Sequence, residues 1–144
     1  MCGRGGRMKS ELSSANPYYI PKQRYYELKH FCLQYGDWRK ELTVLDGYLR
    51  GSALAVSSRR HNESRPTEEI ALERMQTNDR MEMVRSSVDA SVSGPAMRKA
   101  LLMGVTEGVS YEILCARIPE FLEPRDVYYA GYRRFFWNLD RARK

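Results

Sequence analysis

The chain reads as all-α, with a long helical N-terminal part and a C-terminal helix-turn-helix subdomain. Two observations predict this. Leu28, Phe31, Tyr35, Trp38, Leu42, Leu45 and Leu49 recur at alternating steps of three and four, a heptad-like seam. Helix punctuation also divides the remainder into helix, tight turn, short helix, turn and long basic helix. At 144 residues the chain makes one domain or two small subdomains. A compact chain of that size buries about 68–70% of its unfolded surface, enough for a core without staples.

The elements follow in order. Residues 1–16 (MCGRGGRMKSELSSAN) hold three glycines, three serines and few apolar side chains, and read as a disordered basic arm. Their glycines lack the G-K-[ST] ending of a phosphate-binding loop. Residues 17–92 form a helical packing or dimerisation region. Asn16-Pro17 and Pro21 punctuate its start, and the seam follows. Two arrangements stay open: one helix from about Pro21 to Arg50, or a pair broken at Gly36-Asp37, since an internal Gly costs only about 1 kcal/mol. Two uses of the seam also stay open. It packs within the chain, or it builds a homodimer through Leu28, Phe31, Tyr35, Trp38, Leu42, Leu45 and Leu49.

Residues 51–66 (GSALAVSSRRHNESRP) have the composition of a loop. Thr67 then starts a helix with Glu68 and Glu69 in its first turn, where the helix dipole favours anions. Ile70, Thr77, Met81, Val84 and Val88 give it a narrow apolar stripe, and Ser91–Pro95 ends it. Met75, Met81 and Met83 read as gap-fillers.

Residues 93–144 make the C-terminal subdomain. Pro95–Thr106 is expected helical with Met97, Leu101, Leu102 and Val105 buried. Gly108 stops it, and Ser110 caps a short helix whose apolar side is Tyr111, Leu114, Cys115 and Ile118. Pro119–Pro124 turns the chain into the last helix. On that helix Tyr128, Tyr132, Phe135, Leu139 and Ala142 fall on one side, with Phe136 at its edge. Arg133, Arg134, Trp137 and Arg141 fall on the other.

Charge is segregated as well. The net charge of +6 contains −3 over residues 67–92 and +4 over the last twenty residues. Arginine outnumbers lysine, which suits planar, bidentate contact with phosphate or base edges. Duplex DNA is therefore the expected partner. In a helix-turn-helix the start of the last helix meets base edges, so Arg125, Asp126 and Tyr129 are candidate readers. Arg133, Arg134 and Arg141 are candidate phosphate contacts, with Arg59 and Arg60 as additional backbone contacts. Trp137 either half-buries against the N-terminal helix or touches sugar, base or a protein partner. The Ile118–Glu123 turn (IPEFLE) is longer than the usual one and has no Gly.

Several classes find no support. Cys2, Cys32 and Cys115 are odd in number and unpaired by motif, and read as reduced thiols, with Cys32 and Cys115 as small core filler. His30 and His61 lack neighbours at ligand spacing, so no metal is expected. No catalytic or dinucleotide motif occurs, so neither an enzyme nor a cofactor is expected. No run near eighteen apolar residues exists, so no membrane partner is expected.

The stretches NPYYIPKQRYYELKHFCLQY, GVTEGVSYEIL and RDVYYAGYRRFFWNLDRAR resemble small regulators carried by phages and prophages of Gram-positive bacteria, of the ArpU and RinA type. Their tail is similar to region 4 of sigma factors. The likeness covers about half the chain, and the Ile118–Glu123 turn departs from it. The resemblance implies an all-helical, DNA-binding transcription regulator of phage late genes, working in the cytoplasm of the bacterial host cell. A second reading is a phage-encoded inhibitor or modulator that binds a host nucleoprotein machine, RNA polymerase or a CRISPR nuclease, with Trp137 and Phe136 anchoring the contact. A third is a structural adaptor.

Overall fold

The structure, a computed structural model, describes residues 15–54 and 66–144. Among these residues it contains six helices and no strand: α1 Lys22–Leu33, α2 Tyr35–Leu54, α3 Thr67–Ser91, α4 Pro95–Glu107, α5 Tyr111–Arg117 and α6 Arg125–Ala142. The fold is all-α. The basic arm falls outside the described residues except at its end, as do Arg59, Arg60, Cys2 and His61.

Two compact units form, and they divide the chain differently from the 17–92 and 93–144 split that composition suggests. One joins the residues up to Gln34 with Met83–Lys144; the other is Tyr35–Glu82. The reason is α1. It is short and carries Tyr25, Leu28, Phe31 and Cys32 on one buried side. That side packs on α4 and α6, far along the chain. The seam is broken at Gln34 rather than at Gly36-Asp37. Gln34 sits outside helical hydrogen bonding, its N–H donating back to Phe31 O at 3.2 Å. Gly36 lies inside α2.

In the larger unit, Asn16 and the following prolines set a turn, with Tyr19 N–H donating to Asn16 O at 3.0 Å and Tyr18 N–H to Asn16 Oδ1 at 2.9 Å. Gly108 ends α4 in the left-handed region at φ +68°, a conformation in which a Cβ is penalised. Ser110 then caps α5, its hydroxyl accepting from Ile113 N–H. The α4 core is Met97, Ala100, Leu101 and Val105, with Leu102 only half-buried. α4 packs against α1, α5 and α6. Cys32 is buried as expected for core filler, but Cys115 is exposed. Leu114 takes the inward position of α5 instead, and one seven-residue helix has room for a single fully buried side chain.

In the smaller unit, Tyr35, Trp38 and Leu45 of α2 and Ile70, Thr77 and Met81 of α3 are buried. Thr77 donates to Glu41 Oε2 at 3.3 Å, and Arg74 pairs with Asp46 at 2.5 Å. Met75 is exposed and fills no gap. Five of the seven seam residues are buried within the chain, while Leu42 and Leu49 are half-buried. A homodimer through all seven would have to unpack Leu28, Phe31, Tyr35, Trp38 and Leu45.

Candidate nucleic-acid interface

α6 is held on three sides, and what remains outward is the candidate site. Tyr128, Gly131, Phe135, Phe136 and Leu139 are buried. Tyr132 is half-buried and Ala142 exposed, so the inward stripe is shorter than the sequence suggests because α6 ends at Ala142. Phe136 packs edge-on to Tyr25 of α1, centroids 5.1 Å apart. Arg24 Nε donates to Asp140 Oδ1 at 2.6 Å, and the guanidinium of Arg143 lies 3.9 Å from the centre of the Phe31 ring. The hydrogen bond to Asp140 is also the largest reason that the pKa of Arg24 is raised. On another side, Arg134 Nε donates to Ser91 O at 3.0 Å and Asn138 Nδ2 donates to Ser91 Oγ at 3.0 Å. These bonds tie α6 to the last residue of α3.

The helical period puts Asp126, Ala130, Arg133, Trp137 and Arg141 on the outward face, where Asp126 and Arg141 are exposed and Ala130, Arg133 and Trp137 half-buried. Trp137 meets Tyr18 edge-on at 5.4 Å and carries Arg141 over its ring at 4.6 Å. Its partial burial comes from the turn preceding α1, not from the helix. Stacking on the indole leaves Arg141 charged and exposed. Among the described residues no carboxylate pairs with Arg133, Arg134 or Arg141. From Arg133 onward five cationic side chains face one carboxylate, a formal charge of +4.

The start of α6 differs. Arg125 pairs with Glu112 of α5 and lies between the rings of Tyr111 and Tyr129, at 5.8 and 5.2 Å. The carboxyl of Glu112 is held below its ordinary range, first by its own backbone N–H and then by Arg125 and Ser110. Tyr111 also donates to Glu123 O at 2.6 Å. Between Glu107 and Asp126 five carboxylates face two arginines, a formal charge of −3. Arg117, the other cation there, pairs with Glu107 at 3.0 Å.

The structure therefore separates the seven residues picked from the sequence. Arg133, Trp137 and Arg141 share the outward face. Arg134 stands beside them but serves Ser91. Arg125 and Tyr129 form a clasp with α5, and Asp126 is exposed at the acidic end. Sequence reasoning missed Tyr18, which supports Trp137; its proximity to Asn16-Pro17 was the only local signal. It also missed Arg143, whose stacking on Phe31 depends on where α1 docks. Among the described residues no group of three or more His, Cys, Asp or Glu comes together as a metal site, and no helix is long and apolar enough to cross a membrane. Comparison with known protein families, characterised proteins and solved structures finds no match to this chain.

Proposed function

We propose that the chain binds duplex DNA through the second half of α6 and acts as a regulator of the phage type that its sequence resembles. One observation carries the reading: Arg133 and Arg141 share an outward face with Trp137 and have no carboxylate partner among the described residues. Cations not already spent within the fold are available to phosphates, and phosphate contacts supply most non-specific affinity. Arg125 takes a different role from the base reader expected of it, because reading a guanine would require breaking both its ion pair and its stacking. Binding is then positioned by the backbone, with base readout confined to what Arg133 and Trp137 reach.

The test is a mobility shift on random duplex DNA at low salt, with Arg133→Ala and Arg141→Ala combined. Arg134 is left intact because its loss would loosen the α3 end. If about four phosphates are neutralised, log K falls with log salt at a slope near −3.6, and the double variant brings it near −1.8. Unchanged affinity and slope in that variant refute the strip. The second reading, a contact with host RNA polymerase or a CRISPR nuclease, loses one of its two anchors, since Phe136 is 2% exposed and faces Tyr25.

A further inference from the structure

The larger unit carries an open depression of about 430 Å³ lined by the end of α3, the start of α4 and, from α6, Val127 and Arg134. Val92, Met97 and Val127 give it apolar walls, and Asp89 and Glu123 stand at its rim. Leu122, next to Glu123, is 84% exposed, the most exposed large apolar side chain among the described residues. Val127 is 44% exposed. An apolar side chain presented this fully beside a depression marks an interaction surface more often than an isolated exposed Leu does.

The charges around it say what covers it. Glu120, Glu123 and Asp126 are exposed, and none of them has an ion-pair partner among the described residues. Two nearby cations are paired, Arg125 with Glu112 and Arg117 with Glu107, while Arg134 in the lining keeps its charge and donates Nε to Ser91 O. Asp89 is shared only loosely, with Arg98 at 3.7 Å. A duplex would be repelled here. On a chain of net charge +6 this is one of two segments with a net charge of −3, the other being residues 67–92, and opposite charge favours a cationic ligand here. We infer that this face docks a basic, amphipathic segment of a partner protein, its apolar side chain entering the depression beside Leu122 and its Lys or Arg residues meeting Glu120, Glu123 and Asp126. This site is separate from the DNA-binding strip and does not rest on it.

Fluorescence anisotropy on the full chain tests this, using two labelled eighteen-residue helical peptides (one of Leu and Lys, the other of Leu and Glu at the same positions). The Lys peptide is expected to bind at least tenfold more tightly than the Glu peptide. Leu122→Ser with Glu123→Lys should weaken it at least tenfold, whereas Arg133→Ala with Arg141→Ala should leave it within twofold. Equal binding of the two peptides overturns the inference, as does equal binding by the Leu122/Glu123 variant. So does a light-scattering mass that falls from dimer to monomer on Leu122→Ser, because the occupant is then a second copy.

Discussion

The hydroxyl of Tyr128 on α6 lies against the backbone of α4 at Gly104, where any Cβ would overlap it. Tyr128 is fully buried among Phe121, Tyr111 and Tyr132, so it has no room to retreat. Gly104→Ala is expected to destabilise the chain by about 1–3 kcal/mol, the usual cost of overpacking. Tyr128→Phe in the same chain should recover much of that loss, since the next ring atom, Cζ, stands 3.4 Å from the built Cβ. Urea denaturation of the two single variants and the double variant measures the coupling. Additive losses would show that the α4–α6 approach does not depend on this contact.

Adjacent arginines on α6 should behave oppositely. Arg134→Ala removes the donor to Ser91 O at 3.0 Å and should cost about 1.5–3 kcal/mol, the range for a hydrogen bond involving a charged group. Arg133→Ala touches no such bond and should stay within about 0.5 kcal/mol of the parent. In the DNA shift the order reverses, with Arg133→Ala the more damaging. Thermal unfolding beside the mobility shift checks both halves.

Asp140→Ala removes the acceptor of Arg24 Nε at 2.6 Å and leaves the half-buried guanidinium only Glu27 Oε1, at 3.2 Å. The expected cost is about 1–2 kcal/mol, between exposed and buried ion pairs. The loss should appear as faster amide exchange in α1, because Arg24 pins that helix to α6. Asp140→Asn, which keeps an acceptor oxygen, should lose less. Equal exchange in all three chains would show that the Arg24–Asp140 pair does not hold α1 to α6.

Burial pushes the Cys32 thiol from its ordinary 9.0 up to about 12. The folded state therefore keeps its proton when the unfolded chain has lost it. The stability this contributes is complete below pH 9 and is lost as pH climbs from about 9 toward 12, by up to about 1.4 kcal/mol per pH unit. Cys32→Ala should flatten that decline in a pH series of urea melts. In a Cys2→Ser background, a thiol reagent should modify Cys115 at once and Cys32 only on unfolding.

Much of the helix plan was legible because it rests on local chemistry. Ile70, Thr77, Met81, Val84 and Val88 form the buried stripe of α3 as their spacing implies. Gly108 and Ser110 stop and cap helices through bonds that reach only a few residues. The break at Gln34 was less legible. The apolar period continues through it, while in the structure α1 packs on α4 and α6, far along the chain.

The candidate site was legible in composition but not in allocation. Counting charges located an excess of cations in α6; it could not assign Arg125 to Glu112, thirteen residues away, or Asp140 to Arg24, 116 residues away. Residue spacing along a helix determined by itself which side chains share a face, since that geometry repeats every few residues. Only tertiary packing decided which of those arginines remain available to an anion, because carboxylates and carbonyls from distant segments compete for the same guanidinium groups.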